Sequence, residues 1–173
     1  MHQPHPDNQP ITARCGILTI SDTRTPENDT SGQAIQDLLT AQGHKIAAYQ
    51  LCPDDPDQIR AQVIAWGDEP EIDLVITNGG TGIAPRDCTV AAIAPLLTRN
   101  IPGFGELFRM LSFEQVGSRA MASQALGGMM GKILVFALPG STKAVTLGLE
   151  RLILPEISHL LTQLRGLPPA GQK

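Results

Sequence analysis

Residues 74–82 read Leu-Val-Ile-Thr-Asn-Gly-Gly-Thr-Gly, and they constrain the chain more than any other stretch. The apolar, β-branched start predicts a buried strand. Gly79, Gly80 and Gly82 then permit positive φ and let the backbone approach a ligand closely. At the carboxyl end of a parallel strand such a turn aims successive N–H groups at one anion. Pro85, Arg86 and Asp87 follow, just ahead of a short predicted helix over 89–97. Together they point to a phosphate and nucleotide site, with Asp87 handling a metal ion. A tight turn with no ligand is the plainer reading of the glycines alone. Asp87 and a second loop favour a site.

The strand-then-turn pattern recurs. Arg14–Ile20 predicts a first strand, and Ser21-Asp22-Thr23-Arg24 follows it. Asp29 or Ser31 can cap the next helix, in which Ile35, Leu38 and Leu39 share a face, and Gly43 stops it. Residues 44–51 predict a second strand with Ile46 and Ala48 on one face. Asp55 and Pro56 make a helix start, continued by Ile59, Val63 and Trp66. Residues 73–77 predict the third strand, leading into the glycine turn. Strand and helix alternating in this way favour a parallel sheet covered by helices on both faces.

Further on, 100–106 reads as a loop into a helix whose stripe is Phe104, Leu107, Phe108 and Leu111. Residues 118–126 read as another helix, ended by Gly127-Gly128. Residues 132–137 predict a buried strand running into a second strand-to-helix turn, Leu138-Pro139-Gly140-Ser141-Thr142-Lys143. The last helices are interrupted at Pro155. No linker or repeat stands out, so 11–166 is expected to form a single domain with flexible tails at 1–10 and 167–173.

Charge and composition narrow the function. A formal charge of −4, no Lys/Arg run and 3% aromatics argue against nucleic acid as a partner. No apolar run reaches the ~20 residues that span a bilayer, so no membrane role is expected. Cys15, Cys52 and Cys88 form no C-x-x-C pair, which fits a reducing, cytoplasmic setting.

The two glycine-bearing turns and the acids on the same sheet edge carry the chemistry. Gly79, Gly80, Thr81 and Gly82 form one wall, and Pro139, Gly140 and Ser141 the other. Lys143 adds a cation for phosphate, against the plainer reading of a solvated lysine, and Ser141 also reads as an ordinary helix cap. Asp22, Asp54 and Asp87 each follow a strand that ends on this edge. Mg²⁺ is commonly held through one or two carboxylates plus substrate phosphates. Nucleotidyl transfer would need positioning and charge neutralisation rather than a protein nucleophile. Glu106 serves either a helix dipole or a ligand. His44 and His159 read as structural.

These segments resemble the MoaB/Mog family of molybdenum cofactor biosynthesis proteins, related to the G domains of gephyrin and plant Cnx proteins. The matching pieces are Ile20-Ser21-Asp22, Asp29-Thr30-Ser31-Gly32, Pro53-Asp54, 77–82 with Arg86-Asp87-Cys88-Thr89, 102–106 and 138–141, in the family order. Residues 109–114 look more like the MoaB branch. The resemblance implies a three-layer α/β/α fold with a mostly parallel sheet, assembled as a trimer or hexamer. It implies molybdopterin and ATP as substrates, Mg²⁺ as the ion, adenylylation with release of pyrophosphate, and contact with other molybdenum cofactor biosynthesis proteins. On the family pattern Asp87 and Asp54 are the catalytic aspartates, Asp87 at the metal. Ser21, Asp22, Ser31, Gly79, Gly80, Thr81, Gly82, Arg86, Glu106, Pro139, Gly140, Ser141 and Lys143 are the substrate-binding set. Asn78 stands where a threonine is common, and 83–85 departs from the commonest Mog form. The alternative is a molybdopterin carrier or scaffold of the MoaB branch without significant turnover.

Overall fold

A computed structural model describes residues 10–166; the segments read as tails lie outside it, apart from Pro10. The strands are β1 (Arg14–Ile20), β2 (Lys45–Cys52), β3 (Leu74–Asn78), β4 (Arg99–Asn100), β5 (Leu126–Met130) and β6 (Ile133–Leu138). The helices are α1 (Thr30–Ala41), α2 (Pro56–Asp68), α3 (Thr89–Ile93), α4 (Pro102–Val116), α5 (Thr142–Gly148) and α6 (Leu154–Leu164). A π-helical turn, Leu149–Ile153, joins the last two. The sheet order is β2-β1-β3-β6-β5-β4. The first four strands run parallel, and β5 pairs antiparallel with both β6 and β4.

Alternation along the central strands builds the three layers. Cys15 and Ile17 of β1, Leu74 and Ile76 of β3, and Leu134, Phe136 and Leu138 of β6 face α1, α4, α5 and α6. Leu18, Ile20, Val75, Ile133, Val135 and Ala137 face the opposite layer, made by α2 and α3. Both faces are covered, so these strands carry apolar residues on both sides. Asp55 caps α2 by accepting from the Asp57 and Gln58 N–H groups, with Pro56 opening the helix. Gly43 takes φ 82° just after α1.

The fold departs from the sequence-based expectations at specific places. The β1–β2 register shifts between Cys15 and Gly16, pairing them with Ile46 and Ala48. The bulge sends Ile46 to one layer and Ala48 to the other, rather than both to one face. Residues 100–106 are not a loop: Asn100 ends β4, and α4 starts at Pro102. The expected helix over 118–126 is a 3₁₀ segment, Gly117–Ala122, followed by β5. Gly127 and Gly128 are strand residues, not a helix stop. A Cβ on Gly127 would lie 2.7 Å from the Phe136 ring, and one on Gly128 would lie 2.6 Å from Leu97 Cδ1. Those glycines admit neighbouring side chains to the sheet. On α4, Phe104, Phe108 and Leu111 are buried as expected, but Leu107 points outward at 46% exposure.

At the sheet edge away from the glycine turns, Asp73 organises three segments. It accepts from the Arg14 backbone N–H at 2.9 Å, the Arg14 guanidinium at 3.0 Å and Arg165 Nη2 at 2.8 Å. Burial opposes its ionisation, but the bonds from Arg14 and the two positive charges hold its carboxyl below the ordinary range. Asp73→Ala is therefore expected to cost about 2 kcal/mol in urea unfolding at neutral pH, a buried-pair loss reduced because both arginines are partly exposed. A folded pKa below the unfolded one gives stability above the unfolded pKa that fades as pH falls through the folded one. The gap between variant and wild type should accordingly narrow in acid.

Candidate functional site at the carboxyl edge of the sheet

The chain leaves β1 for β2 on one side, then returns to build β3 and β6 on the other. The crevice at this reversal, at the carboxyl ends of the strands, is where open α/β sheets bind ligands. Here the turn after β3 is held in shape from several directions. Gly79 and Gly80 adopt φ 108° and 60°, values that favour glycine. Gly79 N–H donates to Leu138 O at 3.0 Å. The Thr89 hydroxyl donates to Gly79 O at 2.8 Å, and its N–H to Gly80 O at 3.1 Å. Gln124 donates from its backbone to Thr81 O at 2.9 Å and from its side chain to Gly82 O at 2.6 Å. Thr89 belongs to the family-matching piece 86–89 but carries no role in the sequence reading, and Gln124 does not figure in it. Gln124 carries no local signal, because its partners lie more than forty residues away.

The three aspartates converge on this turn. Asp54 N–H donates to Asp22 Oδ1 at 3.0 Å. A Cβ on Gly80 would stand 3.0 Å from Asp54 Oδ1, and one on Gly82 would stand 2.6 Å from Asp87 Oδ2. Glycine at both positions leaves room for the carboxylates. Asp87 Oδ2 accepts from Ala84 N–H at 2.8 Å and closes the loop. Asp54 is half-buried, and its pKa is raised, first by burial and then by the Asp22 charge; Arg86 opposes this and Asp87 adds to it. Among the described residues, no three His, Cys, Asp or Glu side chains gather as a metal-holding group. An ion here would need substrate oxygens as well as the aspartates, the usual arrangement for Mg²⁺.

Ser31 sits deeper. Its hydroxyl donates to Asp29 Oδ1 at 3.0 Å and accepts from Asn78 Nδ2 at 3.1 Å and from Arg24. Ser31 and Asn78 are fully buried, and Asn78 Oδ1 has no protein partner. Arg24 also bonds Asp29 Oδ1 at 3.0 Å and Gly140 O at 2.7 Å. One guanidinium thus ties the loop after β1 and the start of α1 to the turn after β6. A Cβ on Gly140 would lie 3.1 Å from Gly79 Cα, so the two glycine-bearing turns touch. Ser141 caps α5, its Oγ accepting from Ala144 N–H at 3.2 Å.

Beside these turns opens a cavity of about 940 Å³ between α4, the 3₁₀ segment and α5. Thr81, Gly82, Pro139, Ser141 and Lys143 line it, joined by Phe108, Ser112, Arg119, Leu147 and Arg151. Ser21, Asp22, Asp54, Arg86 and Asp87 belong to the loop side instead. Glu106 is exposed near the start of α4 and lines neither group.

Residues 16–159 match the family described as "Probable molybdopterin binding domain". The chain belongs to the MoaB/Mog family of molybdenum cofactor biosynthesis proteins. Molybdenum cofactor biosynthesis protein B of Bacillus cereus is 48% identical over 161 residues, covering 92% of this chain and 95% of that protein. A crystal structure of molybdenum cofactor biosynthesis protein B superposes with TM-score 0.89 at 48% identity, over 91% of this chain and 99% of that one. The tungsten cofactor synthesizing protein MoaB from Pyrococcus furiosus aligns with TM-score 0.80 at 34% identity, over 91% and 99%. The family's α/β architecture is therefore this chain's own.

Within that family frame, the crowding of Asp54 makes a stability prediction. A raised folded pKa means that the ionised group costs stability at neutral pH, a cost that fades as pH falls through the folded value and is gone below the unfolded one. Asp54→Asn should raise the thermal midpoint at pH 7 by a degree or two, about 0.5 kcal/mol. The gain should shrink as pH is lowered and be absent in acid below the unfolded carboxylate's range. Calorimetry across that range checks the sign.

Proposed function

We propose that this protein acts in molybdenum cofactor biosynthesis by binding molybdopterin and adenylylating it with ATP and Mg²⁺, releasing pyrophosphate. The supporting observation is the convergence of the glycine turn, the Asp22–Asp54–Asp87 group and the cavity on one edge of the sheet. In the reaction, a phosphate oxygen of molybdopterin forms a bond to the α-phosphorus of ATP, while the bond to the pyrophosphate oxygen breaks. The attacking group is already anionic, so no protein base is required. The protein's share is alignment and charge neutralisation. Backbone N–H groups of 80–82 cradle phosphate, and Arg86 opposes negative charge beside Asp54. Asp87, with Asp54 beside it, would hold Mg²⁺ together with substrate oxygens. The fit is supported by the repulsion among these carboxylates, which a cation relieves. Bound there, Mg²⁺ would neutralise charge on the phosphates.

A carrier without turnover is the second reading. It is favoured by the engagement of Asp87 Oδ2 with Ala84 N–H, which leaves one oxygen of that side chain for an ion. Incubating the protein with molybdopterin, ATP and Mg²⁺ separates the two: adenylylated product supports the enzyme, and binding without product supports the carrier. In the enzyme, Asp87→Asn should lower turnover at least about a hundredfold, as loss of a charge-stabilising group does, with the thermal midpoint little changed. Undiminished turnover removes Asp87 from the mechanism.

The reading includes a homo-oligomer, trimer or hexamer. Leu107, Met110, Phe113 and Val116 are each 46–59% exposed along α4, and Met121 is 82% exposed just beyond it. Contiguous apolar surface of this kind marks an interaction face, and a second copy of the chain is its occupant here. Phe113→Glu should shift the wild-type oligomer toward monomer in size-exclusion chromatography with light scattering. A wild-type protein that is already monomeric ends the idea.

A further inference from the structure

Four consecutive backbone N–H groups in the glycine turn have no partner among the described residues. Gly79 N–H donates to Leu138 O and Ala84 N–H to Asp87 Oδ2, and these two bonds bound the open run. Between them the N–H groups of Gly80, Thr81, Gly82 and Ile83 donate to none of the described residues. Thr81 is buried at 3% exposure, where an unpaired N–H is rare. The carbonyls of the same four peptides are all engaged. The Thr89 hydroxyl and N–H take Gly79 O and Gly80 O, and the Gln124 N–H and side-chain amide take Thr81 O and Gly82 O. N–H and C=O of a trans peptide point in opposite directions, and no peptide among the described residues is cis. Each carbonyl held by Thr89 or Gln124 therefore turns the N–H of its own peptide away from that residue. Successive N–H groups freed in this way make an anion-binding concavity. Thr89 opens α3 and is fixed by that helix. Gln124 lies in the link between the 3₁₀ segment and β5, where Arg109 Nη1 reaches Ser123 O and Ala125 O, each at 3.4 Å.

We infer that Gln124 is a positioning residue of this site: its side-chain amide fixes the 82–83 peptide and so presents the Ile83 N–H as a fourth donor beside those of 80–82. Among the described residues, Gln124 Nε2 is the only hydrogen-bond donor to Gly82 O, at 2.6 Å. Without it the 82–83 peptide is free to rotate, because Ile83 is 76% exposed and has little packing to hold it. Donors fixed in place before a ligand arrives need no reorganisation when negative charge meets them. Gln124 touches no substrate in this role; it acts through the peptide it holds. The choice of phosphate as the anion rests on the molybdopterin reading of the site; the open run of donors and its bracing do not.

Titration of the ¹⁵N-labelled full chain with inorganic pyrophosphate and Mg²⁺, followed by NMR, reads each donor separately, since an N–H that bonds an anionic oxygen shifts downfield. In the wild type the amide protons of 80–83 should all shift. Gln124→Leu keeps the bulk of the side chain and removes its donor. There the Ile83 proton should stop responding, while those of Gly80, Thr81 and Gly82, whose peptides are held by Thr89 and by the backbone of residue 124, still shift. Pyrophosphate affinity by calorimetry should fall about tenfold, as for loss of one hydrogen bond to a charged group, with the thermal midpoint within about 2 °C of wild type. Gln124→Glu sets an acceptor against Gly82 O. Its affinity relative to wild type at the same pH should be low at pH 8 and recover in acid, where the introduced carboxyl gains a proton to donate; a merely structural role predicts no such recovery. An Ile83 amide that does not respond in the wild type, equal loss of all four shifts in Gln124→Leu, or unchanged affinity overturns the proposal. So does a wild type that binds no pyrophosphate. In the adenylylation assay, kcat/KM for ATP should fall at least about tenfold in Gln124→Leu. Gln124-dependent pyrophosphate binding with no adenylylated product from the wild type keeps the positioning role and removes the enzyme reading. Adenylylation with kcat/KM unmoved in Gln124→Leu keeps the enzyme and overturns the role.

Discussion

A carboxylate with no solvent exposure stands where the segments of the site meet. Asp29 accepts from the Thr19 hydroxyl at 2.5 Å, the Tyr49 hydroxyl at 2.8 Å, the Ser31 hydroxyl, the Gly32 N–H and the Arg24 guanidinium. A buried charge is costly unless it is paired and saturated with hydrogen bonds. Here burial opposes ionisation, but these donors outweigh it and hold the carboxyl below the ordinary range. Burial and the bond to the Asp29 carboxylate push the Tyr49 phenol up to about 12. Because Arg24 continues from Asp29 to Gly140 O, the cap of α1 also sets the position of the turn after β6. Arg24 thus adds a second tie at the edge of the site, beside the Gly79 N–H to Leu138 O bond that joins the two turns directly.

The neighbouring acidic group follows the opposite logic. Asp22, Asp54 and Asp87 are brought together with fewer donors than Asp29 has, and at Asp54 burial and the Asp22 and Asp87 charges outweigh Arg86 and a backbone hydrogen bond. Such tension costs stability, and it is common where a ligand completes the charge balance. The chain thus contains a saturated carboxylate that fixes geometry beside unsaturated ones that await a partner. Their different environments, not their residue type, separate the two roles.

Much of the fold was legible because its causes are local. The apolar runs of β1, β3 and β6, the Asp55–Pro56 start of α2 and the Gly43 stop after α1 each depend on residues a few positions apart. The glycine turn and the second turn, at 138–141, were legible for the same reason. The residues that hold them were not. Arg24 reaches Gly140 over 116 positions, and Gln124 reaches Gly82 over 42. Arg119 and Arg151 have no common sequence pattern, and they share a cavity only because α4 and α5 pack side by side.

The sequence by itself determined the parallel α/β layering, the carboxyl-edge glycine turn and the aspartates that follow the strands, because hydrophobic period and turn chemistry act over short spans. Tertiary structure alone decided that Gly127 and Gly128 lie in a strand, that Ile46 and Ala48 face opposite layers, and that Leu107 turns outward. It also decided the charge of the cavity. Except for Leu107, the deciding contact lies between elements: the Phe136 ring of β6 against Gly127 of β5, the shifted β1–β2 register, and the two walls that carry Arg119 and Arg151.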